Sequence, residues 1–269
     1  MTVVTRPTGQ PEPPPCTPQG SAAAAFAALK AGLDARAAGR VIAAMERPFP
    51  SGFAELDRAL GGGFARGALT TLEGGPSSGR TAIVAAALAS GTRFGLAGLV
   101  DDGTFYPPDM ERAGVQLERT LVTPAQTPVA IARCADILLR SRSFAVVVMP
   151  AAPLRATVWS RLCGLAQKSG TVVLVLGTLA STELAYFAST RIRCAIERVL
   201  WSGNSGVLCE LAGYEVHAHV LKHRRAVPGS SARLHIVDER ISHGVALRSR
   251  SDISPVRSAV RVRRTGSIG

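Results

Sequence analysis

Residues 70–81 read Thr70-Thr71-Leu72-Glu73-Gly74-Gly75-Pro76-Ser77-Ser78-Gly79-Arg80-Thr81. From Gly74 the spacing is G-x-x-x-x-G followed by a basic residue and a threonine. That is the pattern of a phosphate-binding loop, with arginine where lysine is expected. In such a loop the backbone N–H groups cradle the phosphates, the lysine reaches the outer phosphates and the Ser/Thr hydroxyl meets Mg²⁺. Arg80 keeps the charge, but a flat guanidinium fork is not the shape of a slim ammonium. The flanks fit the motif: residues 70–73 predict a short strand, and residues 81–90 (TAIVAAALAS) predict an apolar, buried helix. A plain Gly/Ser turn between two elements is the alternative, and the motif alone does not separate them.

Moving outward, residues 20–45 are Ala-rich, with Phe26, Leu29, Leu33 and Val41 near helical spacing, and Pro48 and Pro50 end that helix. Ser51 is placed to cap a short helix with Leu56 and Leu60 inward, closed by the glycines at 61–63. Beyond the loop, apolar strands at 94–100, 119–123, 144–149 and 171–176 alternate with helices, among them 129–142 (Ile131, Cys134, Ile137 and Leu138 on one face) and 154–168. This alternation predicts an α/β fold with a parallel sheet. After Leu184, residues 195–201, 207–211 and 215–221 read as strands without helices between them, an antiparallel extension of that sheet.

The 269 residues divide into a Pro-rich, disordered leader (1–19), an N-terminal helix (20–47), the core (48–241) and a basic, disordered tail (242–269). The start has no charged segment followed by an apolar run, so it does not read as a signal peptide. No stretch of about 18 uninterrupted apolar residues predicts a membrane span. A cytoplasmic, nucleoid-associated protein is expected. Cys16, Cys134, Cys163, Cys194 and Cys209 form no C-x-x-C pair and read as reduced thiols. His217 and His219 alternate on a strand; they are solvent-facing imidazoles or two ligands lacking a third, and no metal site is assigned. The formal charge of +12, carried almost entirely by arginine, fits salt-dependent contact with a polyanion or a biased base composition. In the tail, Arg257, Arg261, Arg263 and Arg264 form a cationic segment suited to DNA backbone, to an acidic protein surface, or simply to solvation.

Taken in order, SGFAELDRALGGGFARGALTTLEGGPSSGRT, LVDDGTFYPPDMERAG, AVVVMP, VVLVLGT, ELAYFASTRIR and YEVHAHVLKHRRAVPG resemble the RecA family of strand-exchange ATPases over residues 48–237. Within that superfamily, SGFAELDRALGGGFARGALTTLEG is similar to ImuA. ImuA proteins are RecA-like and accompany ImuB and an error-prone polymerase in damage-induced mutagenesis.

The resemblance implies a RecA-like P-loop core, a mostly parallel twisted sheet extended by antiparallel strands. It implies nucleotide-binding positions Gly74, Gly79, Arg80, Thr81 and Asp101. It also marks departures. Arg80 replaces the loop lysine, and Met149-Pro150 stand where a strand should end in the Mg²⁺-associated aspartate. Gly103 holds the place of the catalytic glutamate, Thr178 that of the glutamine sensing the γ-phosphate, and Asp109 that of the aromatic stacked on adenine. Hydrolysis needs a metal, an oriented water and charge neutralisation. The expectation is therefore a chain that is not an enzyme, without catalytic residues, holding ATP without efficient hydrolysis, with no other cofactor. The short connections PAAPLR and LAS replace the two long DNA-binding insertions of RecA. Lys222 and Arg224 match residues that reach the neighbouring subunit's nucleotide in RecA filaments; a RecA-like interface and two solvated charges are both open. The implied role is that of a non-recombinogenic accessory protein in the SOS response and translesion synthesis. Its implied partners are RecA, an ImuB-like Y-family protein, an error-prone polymerase and DNA bound without sequence preference. The rival reading is an active ATPase with a variant loop, Arg80 as the phosphate-binding cation and Asp101 or Asp102 as the metal-side acid. A third is a plain DNA-binding protein acting through its tail.

Overall fold

The structure is a computed structural model and describes residues 47–202, 210–224 and 229–237. The leader, nearly all of the N-terminal helix, the four tail arginines, Cys16 and Cys209 lie outside these residues.

Among the described residues, eight strands form one sheet. Along the chain come α1 (Ala54–Ala59), β1 (Leu69–Glu73), α2 (Arg80–Phe94), β2 (Leu96–Asp101), α3 (Pro107–Arg112), β3 (Thr120–Pro124), α4 (Pro128–Ser141), β4 (Phe144–Pro150), α5 (Ala156–Ser169), β5 (Val172–Gly177), α6 (Thr182–Phe187), β6 (Thr190–Ser202), β7 (Glu210–His223) and β8 (Ser231–Val237). The order across the sheet is β3-β2-β4-β5-β1-β6-β7-β8. Pairing is parallel from β3 to β6 and antiparallel from β6 to β8. The expected α/β class, a mostly parallel sheet with antiparallel strands added, is what the chain forms.

The reason lies in the strand sequences. Strands β4 and β5 are apolar on both faces, and β1 is buried along its whole length, because both faces are covered, as a parallel sheet requires. On one side Leu72, Val146, Val148 and Leu174 meet Leu56, Ile83, Leu88 and Met110 from α1, α2 and α3. On the other, Leu69, Val147, Val173 and Val175 meet Ile131, Leu138, Trp159, Leu162 and Leu184 from α4, α5 and α6. The antiparallel strands bury one face only: Ile192, Val216, Ala218 and Leu234 join the first core, while Arg193, Glu197, Arg233 and His235 on alternate positions are exposed.

Several boundaries differ from the sequence expectation. Helix α2 runs through Gly91 to Phe94, whose ring is exposed, so strand β2 starts at Leu96. On α4 the buried stripe is Ile131, Ala135, Leu138 and Leu139; Ile137 points to solvent. Ser51 does not cap α1, whose N-cap is Phe53; its hydroxyl instead accepts from Phe53 N and its backbone N–H donates to Asp57 Oδ1. Strand β6 begins at Thr190, where it is still parallel to β1. The strand expected at 215–221 and the described end of that expected at 207–211 belong to one strand, Glu210–His223, with shifts of register in its pairing with β6; residues 207–209 lie outside the described residues. Strand β8 was not anticipated.

Candidate phosphate-binding site

Strand β1 ends at Glu73, and the next six residues turn the chain into α2. Gly74 N–H is shared between the carbonyls of Gly177 and Thr178, both at 3.1 Å, which ties the loop to the end of β5. A Cβ on Gly74 would sit 2.5 Å from Ser78 Oγ and 2.7 Å from the Cys194 carbonyl, so only a hydrogen fits. Gly79 has φ of +82°, and a side chain there would collide with Val216 of β7. Helix α2 then begins at Arg80 with no side-chain cap and no acidic residue in its first turn. Its leading N–H groups and the positive end of its dipole face the loop, which is the arrangement that binds anions. The turn is thus a strand–loop–helix cradle.

Two polar atoms decide what the cradle suits. Ser78 Oγ and Arg80 Nη1 are buried and have no hydrogen-bond partner in the described structure. A buried donor left unmatched costs about 1–3 kcal/mol, more when charged. Both belong to the turn from β1 into α2, where phosphate oxygens would supply the missing acceptors, so the donors present fit a phosphate group. The Cys194 thiol, pushed up to about 12 by burial, lies close enough to Arg80 for the guanidinium to oppose that rise. Thr81 opens the helix with an exposed side chain.

The other implied positions are less committed to a ligand. Asp101 Oδ1 accepts from Thr104 N at 3.0 Å and Phe105 N at 2.9 Å, shaping the turn after β2. Asp102 Oδ1 accepts from the Thr104 hydroxyl at 2.8 Å. Gly103 adopts φ of +102° in open space, Thr178 is exposed, and Asp109 is ion-paired to Arg112 on α3. Met149 is fully buried at the end of β4.

A further acid escaped the sequence reading. Glu73, 1 % exposed, receives Arg191 Nε on one oxygen at 2.7 Å and Nη2 on the other at 3.0 Å. The Thr71 hydroxyl donates to it at 3.0 Å, and the Ala180 backbone amide lies near enough to favour the ionised form. Burial acts to raise the Glu73 carboxyl, but the Arg191 guanidinium, the Thr71 hydroxyl and the nearby Ala180 amide outweigh it and hold it below the usual carboxylate range. The available signal was an acid ending an otherwise buried strand.

Lys222 and Arg224 do not meet the loop. Ser189 N–H donates to Leu69 O at the start of β1, and Arg224 N–H donates to Ser189 O, which places the pair at the opposite end of the strands from Gly74. Lys222 Nζ donates to Ala185 O at 2.9 Å and Tyr186 O at 3.0 Å, closing the C-terminal end of α6. Burial, then Arg224 and Arg191, lowers its pKa. The Arg224 side chain is exposed and borders a cleft of about 270 Å³ with Arg66, Gln167, Ser189 and His223. The His217 and His219 rings stack at 6.2 Å, and no cluster of three or more His, Cys, Asp or Glu suited to a metal exists among the described residues. Cys134, Cys163 and Cys194 are free thiols. No helix among the described residues is long and apolar enough to cross a membrane.

No family model matches the chain. It is 26 % identical over 227 residues to RecA of a Picosynechococcus species, a match covering 70 % of this chain and 64 % of that RecA. With RecA of Leifsonia xyli it is 34 % identical over 124 residues, 45 % of this chain and 33 % of the relative. The chain therefore spans under two thirds of the length of these relatives. Among solved structures it is similar in fold to the RadB recombinase, with a TM-score of 0.56 at 20 % identity over 70 % of this chain and 95 % of that one. These findings overturn the expectation that the chain is not an enzyme. The sequence similarity runs to RecA proteins, and it does not support that expectation. The similarity to RecA, together with the fold shared with RadB, supports placing the chain in the RecA superfamily.

Proposed function

We propose that this chain is an ATPase of the RecA superfamily with a variant phosphate loop. The observation that carries the reading is the pair of buried, unpartnered groups, Ser78 Oγ and Arg80 Nη1, inside a strand–loop–helix cradle. Arg80 serves as the phosphate-binding cation, and the N-terminal amides of α2 and Ser78 supply the remaining donors. Thr81, with Asp101 or Asp102 at the end of β2, would hold a divalent metal. The metal supplies charge neutralisation when bound. The residues of this chain bind and orient the phosphates. Titration of the purified protein with ATP tests this: tight binding lost by at least tenfold in Arg80→Ala supports it, and equal binding by the two proteins contradicts it.

At a finer level the protein acts in the cytoplasm, beside the nucleoid, as an ImuA-like, non-recombinogenic partner of RecA, an ImuB-like Y-family protein and an error-prone polymerase in the SOS response. Two observations favour this over strand exchange. The sequence at 51–74 resembles ImuA, and the connections β4–α5 and β5–α6 are short, at residues 151–155 and 178–181. In this reading Arg224 contacts RecA and the tail arginines contact DNA or an acidic partner. Unchanged RecA binding by Lys222→Glu with Arg224→Glu removes that contact from the account; loss of DNA binding on deleting residues 248–269 supports the tail assignment.

A further inference from the structure

The two glycines that frame the phosphate loop rest on different strands of the antiparallel extension. A Cβ on Gly74 would lie 2.7 Å from the Cys194 carbonyl of β6, and one on Gly79 would lie 2.3 Å from Cγ2 and 3.0 Å from Cγ1 of Val216 on β7. Strands β6 and β7 pair directly, Cys194 with Ala218 and Ile196 with Val216. The loop therefore has a floor, a backbone carbonyl under its first glycine and a branched side chain under its second. Val216 is fully buried, in the core to which α2 contributes Ile83, Val84 and Leu88. Gly79 holds φ of +82° and is the residue from which α2 starts: the Ala82 and Ile83 amides donate to its carbonyl at 3.1 and 3.4 Å. In a close-packed interior such a contact fixes a backbone position, and deleting methyl groups leaves a gap that the neighbours fill only in part.

We infer that Val216 is a positioning residue for the ATP-binding site: its two methyl groups seat Gly79 and so set the direction of the first turn of α2. This inference rests on the ATP-binding reading and deepens it. Glycine has the widest choice of backbone angles and no side chain to anchor it, so the shape beneath Gly79 selects its conformation. The N-cap of α2 has no side-chain hydrogen bond, which leaves that task to packing. Ser78 Oγ and Arg80 Nη1, buried and without a partner, belong to the residues on either side of Gly79, so a displaced Gly79 displaces both donors. Donors held in place bind an anion without rearranging, and misplacing them forfeits affinity. Val220 of the same strand is equally buried in the same core. It shares its β6 neighbour Ile192 with Leu72, which puts it level with β1 rather than with the loop.

Titration of the full chain with a non-hydrolysable ATP analogue tests this, for the wild type, Val216→Ala and Val220→Ala, together with amide hydrogen exchange of each without ligand. The two variants delete the same atoms from the same core, and both are expected to lose stability. Val216→Ala is expected to bind the analogue about tenfold more weakly than the wild type, and Val220→Ala to stay within about twofold of it. Without ligand, exchange of the Ala82 and Ile83 amides, measured against the β4 amides of the same variant, is expected to rise about tenfold in Val216→Ala and to stay at the wild-type ratio in Val220→Ala. Equal affinities for the analogue in the two variants, or Ala82 and Ile83 amides no faster in Val216→Ala than in Val220→Ala, overturn the inference. If the wild type binds no analogue, the ATP-binding reading fails, and the ligand-free exchange still decides whether Val216 seats Gly79. Should Val216→Ala not fold, Val216→Cys beside Val220→Cys removes one branch at each place, and the same differences are expected at smaller size.

Discussion

Arg191 reaches from β6 to Glu73 on β1 and engages both carboxylate oxygens, at 2.7 and 3.0 Å, directly beneath the phosphate loop. The acid is buried and the arginine side chain is 24 % exposed. Removing the arginine leaves a buried carboxylate with the Thr71 hydroxyl as its remaining hydrogen-bond donor among the described contacts. Arg191→Met should therefore cost about 3 kcal/mol, the lower end of the range for breaking a buried pair. The midpoint of urea unfolding reads this directly, provided the slope is unchanged.

The same pair fixes a pH dependence. The Glu73 carboxyl titrates below its ordinary value of 4.5 in the folded chain. The unfolded chain therefore binds the proton first as pH falls, and the stabilisation by ionised Glu73 is complete above about pH 4.5 and fades as pH drops through the lower folded value. Glu73→Gln should be less stable than the wild type near neutrality, and the gap should narrow below pH 4.5. Unfolding curves collected between pH 3 and pH 7, pH values chosen to bracket that window, measure the gap.

Much of this architecture can be read from the sequence, and the exceptions have physical causes. The runs FAVVVM and TVVLVL stand out because strands covered on both faces must be apolar throughout. Strand β8 did not stand out. Its inward residues are Ala232, Leu234 and Ile236, and small Ala232 together with outward Arg233 and His235 gives a weak alternation. Ile137 misled because Ile131, Ile137 and Leu138 can be drawn on one face, whereas the core selects the stripe through Ala135 and Leu139. Gly74, Gly79, Arg80 and Thr81 can be named as candidates from the sequence because the loop motif is a local spacing. Ser78 and Glu73 cannot, because their roles depend on burial and on Arg191, 118 residues away. The sequence matched Lys222 to an intersubunit position, while packing against α6 engages it within the chain.

Ser78 carries a predicted trade-off. Its hydroxyl is buried without a partner, so Ser78→Ala should leave the ligand-free protein as stable as before, or more stable by up to about 1 kcal/mol. The same change should weaken ATP-analogue binding several-fold, because a donor waiting for phosphate is gone. Thermal unfolding with and without the analogue separates the two effects.

Gly79→Ala should fail for two separable reasons. The backbone sits at φ of +82°, which disfavours a side chain by about 1 kcal/mol, and the new methyl collides with Val216. A combined loss of about 2 kcal/mol or more is expected. Adding Val216→Ala relieves the collision but leaves the backbone penalty and opens a cavity. The double variant should therefore recover only part of the lost ATP-analogue affinity, as measured by titration.

Lys222→Met should destabilise the chain by about 1 kcal/mol by leaving the Ala185 and Tyr186 carbonyls at the end of α6 without their donor. Faster amide exchange in residues 182–188, with no change in β4, identifies the local origin of the loss.

The central claim is that Arg80 and the loop around it turn over ATP. The most direct measurement is the rate of phosphate release from ATP by the purified full chain, with and without single-stranded DNA, beside Arg80→Ala and Asp101→Asn. The account predicts measurable turnover by the wild type, reduced at least tenfold in Arg80→Ala and also reduced in Asp101→Asn. A folded protein that releases no phosphate under either condition, or one whose turnover is unchanged in Arg80→Ala, contradicts it.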